Sequence, residues 1–418
     1  MKKLIVNYQD IQKGNKIPIL FRKEVLEIPS TTYGVFSIYK YPAKFIPQVI
    51  AFVLREYGEA GTKVFDPFAG YGTVGLVSKI YGYDYELWDL NPILEIIHKT
   101  AVLGKPKVKL ENLLQIIDDI KTSNKEFIPE WKNLFYWFPE DFIPVLSKAW
   151  GFVHSLDEEY KYYFLIPLLK VTKYFSFCDE KVHKLHRSRY SVQKIKHLLK
   201  ENWKNIFYKM LKNETAVLFN KLNEYENLRP QVVNYKIRAG VDTLTMDLEE
   251  PVDILITSPP YLQAQEYIRS TKLELFWLGY EENFIRNLQK LEIPYREVPE
   301  INIGSPTYYK LYQEIKENHL RRIYAQYFNA ILSIFSNLGK KVKGYMCIFV
   351  GPAKIRNTPI PIDDIIVEHL KNFDWEHKVT FVDKIVSRVM FESKINPANK
   401  MKDKRIETEH LIILKNKN

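Results

Sequence analysis

Val64-Phe65-Asp66-Pro67-Phe68-Ala69-Gly70-Tyr71-Gly72-Thr73-Val74-Gly75-Leu76 decides the fold. A short apolar run, 63–65, reads as a strand. Asp66 and Pro67 end it, Gly70 and Gly72 form a tight turn, and a helix starts near Thr73. Glycine has no Cβ, so such a strand-to-helix turn lets backbone approach a ligand closely. Taken alone, Gly-x-Gly is also what an ordinary structural junction looks like. Gly70, Gly72 and Gly75 follow the dinucleotide fingerprint only loosely, and no Lys-Ser/Thr follows them. That disfavours a phosphate-cradling loop, so a nucleoside without a pyrophosphate fits better than a dinucleotide.

Working outward, a second strand, 83–88, runs into Trp88-Asp89-Leu90-Asn91-Pro92. Asp89 lies 19 positions after Gly70, where an acid would hold a ribose diol in a nucleotide-type site. Further β-like runs occur at 235–238, 253–257, 345–350, 379–386 and 411–414, rich in Val, Ile, Tyr and Phe. Helical stretches are expected at 72–81, 91–103, 308–338 and 362–372. Strands alternating with helices predict an α/β fold with a largely parallel sheet. The last two runs are close enough to form an antiparallel hairpin at a sheet edge. Between Pro106 and Pro230 the only glycine is Gly151, and charged and aromatic residues recur at helical spacing. This stretch reads as a helical insertion. The segment 292–308 carries three prolines and reads as a long loop, a place where function is often found.

Hydrophobic residues make up 46% of the 418, enough for a sizeable core and against global disorder. Lys and Arg number 61 against 50 Asp and Glu, a net charge of +11 that favours a polyanionic partner, although a merely basic protein would look the same. Cys178 and Cys347 are far apart and form neither a disulfide framework nor a metal-ligand spacing. No metal is expected, and a cytoplasmic, reducing location fits. The first 16 residues lack the features of a signal peptide, and no apolar run is long enough for a membrane span.

The buried-type run 253–257 leads straight into Ser258-Pro259-Pro260-Tyr261. Two prolines at a strand end cannot donate to a ladder and hold the chain extended. Carbonyls then point out of the carboxyl edge of the sheet, where α/β proteins bind ligands. An aromatic amine is a poor nucleophile because its lone pair is delocalised. Acceptors on its NH2, such as Ser258 Oγ and the Pro259 carbonyl, would rehybridise it for in-line attack on a methyl sulfonium. Tyr261 offers a face for stacking an extruded base. Neither cysteine sits in a Pro-Cys turn, which disfavours carbon-5 cytosine chemistry. By itself, the segment could be an ordinary loop after a strand.

Together these segments resemble the amino-methylating DNA methyltransferase family. Tyr41-Pro42-Ala43-Lys44-Phe45-Ile46-Pro47 resembles the segment near the methionine end of its cofactor. Asp66 to Thr73 resembles its Asp-Pro-Phe-x-Gly-x-Gly-Thr motif, Asp89 its ribose acid, and Asp242 the residue near the cofactor's adenine. Thr257 to Tyr261 matches its catalytic motif, and Ser in first place is associated mostly with cytosine-N4 enzymes. The segments 350–354, 361–363, Ser387-Arg388 and 409–414 also match its later motifs. The resemblance covers roughly 31–104 and 232–418. It implies a Rossmann-like methyltransferase fold with a mixed, mostly parallel seven-stranded sheet. The catalytic domain would be 1–104 with 232–418, and 105–231 a helical insertion that recognises the DNA target.

The resemblance implies S-adenosylmethionine as cofactor, held by Lys44, Phe45, Asp66, Phe68, Gly70, Gly72, Thr73, Asp89 and Asp242, with Ser258, Pro259, Pro260 and Tyr261 catalytic. Double-stranded DNA would be the substrate, flipped at the target base, with a separately acting restriction endonuclease as a candidate partner. Lys181, Lys184, Arg187 and Arg189, in a basic stretch that runs on to Lys200, are candidate DNA contacts, as is Arg269. A solvated helix face would have the same composition. The rivals are adenine-N6 methylation, an RNA or protein-glutamine methyltransferase, and a nucleic-acid-binding protein on a degenerate methyltransferase fold.

Overall fold

A computed structural model describes residues 15–42, 44–182, 184–262, 266–356, 358–385 and 407–418. Ala43, Val386 and the Ser387-Arg388 pair lie outside the described residues. Ten strands are present among them: β1 (Lys16–Ile19), β2 (Lys63–Asp66), β3 (Asp84–Asp89), β4 (Tyr235–Ala239), β5 (Val252–Thr257), β6 (Val342–Val350), β7 (Ala353–Ile355), β8 (Thr358–Ile360), β9 (Trp375–Lys384) and β10 (Thr408–Asn416). Eight of them form one sheet in the order β1-β9-β10-β6-β5-β2-β3-β4, and β7 and β8 form a small hairpin. In the large sheet β10 alone runs against its neighbours.

The expected Rossmann-like, mostly parallel sheet is present, but it has eight strands where seven were expected. The extra strand is β1, which pairs in parallel with β9, Lys16 opposite Thr380 through Ile19 opposite Asp383. The β9–β10 pair is therefore antiparallel as expected but does not form the sheet edge.

Alternation along the central strands builds two apolar layers, because successive side chains point to opposite faces. Val64, Ile254, Ile256, Cys347 and Phe349 enter one core; Phe65, Leu255, Met346 and Ile348 enter the other. The first core is covered by the helices Pro47–Tyr57 and Thr73–Tyr81, and the second by Asn318–Gly339 and Ile362–Leu370. The helix expected over 308–338 is two helices, Pro306–Glu314 and Asn318–Gly339. Between them the Arg321 guanidinium takes the Ile315 carbonyl through two N–H groups, at 3.0 and 2.7 Å.

The stretch between β3 and β4 is helical, with long helices at Glu158–Tyr174 and Trp203–Glu226. It is stitched to the sheet layer rather than standing apart. Tyr225 donates its hydroxyl to the Leu76 carbonyl at 2.6 Å, and the Glu224 carboxylate accepts the Gly34 N–H at 3.1 Å. Among the described residues no helix is long and apolar enough to cross a membrane.

Candidate functional site at the carboxyl edge

From β2 the chain moves outward to β3 and β4, then returns to the other side of β2 with β5 and β6. Strand order therefore reverses between β2 and β5, and in open α/β sheets the crevice beyond such a switch point is where ligands bind. A cleft of about 740 Å³, counting its open mouth, lies there. Its wall includes Phe68 and Gly70 from the turn after β2, Asp89 from the end of β3, Asp242 from the loop after β4, and Ser258 and Pro260 from the end of β5.

The turn after β2 is held from both sides. Gly70 has φ +52° and Gly72 φ +82°, left-handed values that L side chains rarely adopt. A Cβ on Gly70 would also come within 3.2 Å of the Tyr41 ring, which lines the same cleft. The Ala69 N–H donates to the Trp88 carbonyl at 2.9 Å, which ties the turn to β3.

Asp89 uses both carboxylate oxygens on backbone. Oδ2 accepts the Gly70 N–H at 2.7 Å and Oδ1 the Asn91 N–H at 2.7 Å. Its enclosed position raises its pKa to about 6, against those two donors, which pull it down. Asp66 is buried deeper, at 1% exposure. Its Oδ1 accepts the Thr257 hydroxyl at 2.6 Å and the Phe68 N–H at 3.0 Å. Burial lifts its pKa to about 7, opposed by both hydrogen bonds, with the Asp89 charge adding to the rise. Asp66 thus locks the ends of β2 and β5 together beneath the cleft and does not line it. Thr243 donates to the Pro67 carbonyl at 2.8 Å, and the Val241 N–H to the Asp89 carbonyl at 3.1 Å. Those bonds hang the Asp242 loop on the turns after β2 and β3.

Other expected site residues lie off the wall. The Lys44 ammonium donates to the carbonyls of Thr31, at 2.9 Å, and Phe36. Burial, with the Lys221 charge, lowers its pKa to about 8. Phe45 stacks on Phe349 of β6, ring centroids 5.3 Å apart, within the core. Gly72 and Thr73 form the start of the helix Thr73–Tyr81. Pro259 is buried behind Ser258, and the Tyr261 hydroxyl donates to Glu409 of β10 at 2.9 Å.

Sequence reading did not single out Asn91, Glu292 or Arg296. Asn91 and Tyr267 line the cleft, and the Asn91 amide donates to Thr271 Oγ1 at 3.0 Å. Glu292 and its neighbours Leu291 and Ile293 line it from the loop already suspected of function. The Arg296 guanidinium donates to Asp242 Oδ1 at 2.6 Å. The signal for Glu292 and Arg296 was the loop's length and proline content; nothing local marked which of its residues turn inward.

The basic stretch is of two kinds. Lys181, Lys184 and Arg189 are exposed, and Lys181 lies 3.9 Å over the Tyr190 ring. Arg187 instead donates to the Tyr136 carbonyl at 2.6 Å and packs 4.1 Å from the Phe177 ring centroid. Lys194 likewise donates to the Tyr174 carbonyl at 2.6 Å. Ser188 caps the helix Arg189–Leu198 by accepting the Ser191 N–H, and its hydroxyl donates to Asp179 at 2.6 Å. Arg269 pairs with Glu266 one turn before it, at 2.9 Å.

Fold and cleft together define the class as α/β proteins with a Rossmann-like, mostly parallel sheet and a ligand-type crevice at its switch point. Within it, the chain is similar to the Type II methyltransferase M.MvaI of Kocuria varians, 22% identical over 419 aligned positions that cover 90% of each chain. It is also similar to the Type II methyltransferase M.BsoBI of Geobacillus stearothermophilus, 23% identical over 300 positions, 65% of this chain and 58% of that one. A shorter match, 29% over 104 positions, joins it to the Type II methyltransferase M.MjaII of Methanocaldococcus jannaschii. No family model matches the chain. The rRNA methyltransferase aviRa of Streptomyces viridochromogenes overlays 90% of the chain at 10% identity, but at a TM-score of 0.30 it carries no argument.

Proposed function

We propose that this chain is an S-adenosylmethionine-dependent, site-specific DNA methyltransferase acting on the exocyclic N4 amino group of cytosine in double-stranded DNA. One observation carries the reading: Ser258 and Pro260 share a single cleft with Gly70, Asp89 and Asp242. The near-full-length similarity to a Type II methyltransferase supports DNA as the substrate. A separately acting restriction endonuclease is the proposed partner.

The cleft fits the cofactor on its own chemistry. Asp89, Asp242 and Glu292 place three acids on the wall, suited to a ligand bearing cationic groups. The bare backbone at Gly70 leaves room beside the Tyr41 ring. Asp89 would hold the ribose hydroxyls and Asp242 would lie toward the adenine. S-adenosylmethionine would supply an electrophilic methyl group on its sulfonium.

The chain's own residues do the rest. The Ser258 hydroxyl oxygen and the Pro259 carbonyl accept the two N–H groups of the target amine, which localises its lone pair on nitrogen. Pro259 and Pro260 keep these acceptors rigid, so orientation is set before the base arrives. Asp66, through Thr257, fixes the strand end that carries them. Tyr261 offers its ring face to a base swung out of the duplex. Lys181, Lys184 and Arg189 would neutralise phosphates alongside. Arg269 would reach the backbone of the extruded nucleotide.

Incubating the protein with methyl-labelled cofactor and duplex DNA, then digesting to nucleosides, tests the reading. The expected product by mass spectrometry is N4-methyldeoxycytidine. N6-methyldeoxyadenosine would overturn the choice of base, and label in neither would overturn the function.

A further inference from the structure

The helix Tyr267–Trp277 follows Ser-Pro-Pro-Tyr in the chain and carries Tyr267 and Ile268 into the wall of the cleft. Its first N–H groups have no partner within the helix. Glu266, at the N-cap position, supplies no side-chain cap and pairs with Arg269 instead. The cap comes from another part of the chain. Glu292, 24 residues further on and 7% exposed, accepts the Ile268 N–H on Oε1 at 2.9 Å, and the Tyr267 N–H favours the charged form of the same carboxylate.

The backbone of Glu292 is equally committed. Its carbonyl accepts the N–H groups of Tyr295, at 3.0 Å, and Arg296, at 3.2 Å, closing a turn. That turn delivers Arg296 to Asp242 on the opposite lip, where Asp242 also accepts the Leu244 N–H. Residues 291–296 therefore form a strap pinned at both ends. One end is the first turn of the helix after the catalytic segment; the other is the loop after β4.

We infer that Glu292 is a positioning residue of the donor pocket: its carboxylate fastens this strap across the cleft and so sets how long the methyl donor stays bound. The inference rests on the reading of the cleft as an S-adenosylmethionine site. A carboxylate accepting N–H groups at a helix start makes strong, charge-assisted bonds. Burial, resisted by those two N–H donors and helped by the nearby Glu266 and Asp89 charges, raises the Glu292 pKa to about 7. Glutamine keeps an acceptor oxygen for the amides but loses the charge, whereas alanine removes the clasp.

The test compares wild type, Glu292→Gln and Glu292→Ala as full chains. Hydrogen exchange on the ligand-free proteins reads the Tyr267 and Ile268 amides, and stopped-flow fluorescence reads S-adenosylmethionine release. The expected result is lost protection at both amides in Glu292→Ala and release faster by about tenfold, with the melting temperature close to wild type. Glu292→Gln should stay within about threefold of wild-type release. Unchanged protection or unchanged release in Glu292→Ala overturns the inference while donor binding by wild type keeps the functional reading intact. A wild-type chain that binds no donor overturns both.

Discussion

The cleft at the carboxyl edge and the basic stretch at 181–200 were both picked out by residue type, and they are built by opposite means. At the cleft the polar groups are short side chains with fixed partners: Asp89, on its wall, holds the amides of Gly70 and Asn91, and Asp66, beneath it, the Phe68 amide and the Thr257 hydroxyl. In the basic stretch they are long side chains on flexible stems. Arg187 and Lys194 turn inward onto carbonyls, while Lys184 and Arg189 remain in solvent. Lys and Arg can bury their stems and send the charge in several directions. A charge pattern therefore gives a region, whereas a turn motif gives individual atoms.

The largest expected effect belongs to the cleft. Ser258→Ala should lower methyl transfer by about 100-fold or more, roughly 3 kcal/mol in the barrier, with donor affinity retained by calorimetry. Near wild-type turnover would remove Ser258 from its assigned role. Asp89→Ala comes next: donor affinity should fall by about tenfold or more, on the order of 1.4 kcal/mol. Unchanged binding would break the claim that this end of the molecule is legible atom by atom.

The basic stretch should respond more gradually. Lys184→Glu with Arg189→Glu should weaken DNA binding and reduce the slope of log affinity against log salt by about 1.8, near 0.9 per lost phosphate contact. Arg187→Ala sharpens the comparison. Its guanidinium is held between Tyr136 and Phe177, so its loss should lower the melting temperature more than the salt slope. The reverse pattern would make Arg187 part of the DNA footprint.

The last effect is spread over several pH units. The folded-state pKa of Asp66 is about 7, above its ordinary value of 3.8, so the native state holds a proton that the unfolded chain has lost. Stability contributed by that protonated form is present at low pH and is lost as pH rises through the window from about 4 to 7. Asp66→Asn mimics the protonated acid and keeps an oxygen for Phe68 and Thr257. It should flatten this loss, by at most about 1.4 kcal/mol per pH unit. Denaturant titrations of both proteins at several pH values read it, and parallel curves would contradict the assignment.

Much of the fold was legible because its signals are local. The turn at Asp66 to Gly72, the acid ending β3 and the prolines after β5 each mark a strand end, and the doubly wound order brings those ends together. What escaped is set by partners distant in sequence. Lys16-Ile17-Pro18-Ile19 has one proline in four residues and becomes a strand only through β9. The break after Glu314 has no Pro or Gly to announce it, only an arginine reaching back to a carbonyl. Lys44 and Phe45 were carried over from a resemblance, and packing turns them toward Phe36 and Phe349. Glu292 caps a helix that precedes it by 24 residues, a pairing no periodicity reports.

The same strand β1 has a consequence for how the molecule behaves among its copies. Without it, β9 would present ten residues of open hydrogen-bonding backbone at the rim of the sheet, a template for adding a strand from another chain. β1 covers Thr380 to Asp383 and presents in their place a rim only four residues long, broken by Pro18, which has no N–H to offer. Lys16 adds a charge there, tethered to Asp363 at 2.8 Å and Asp364 at 3.0 Å. Four residues at the outer margin of the sheet thus shorten the stretch of β9 open to another strand.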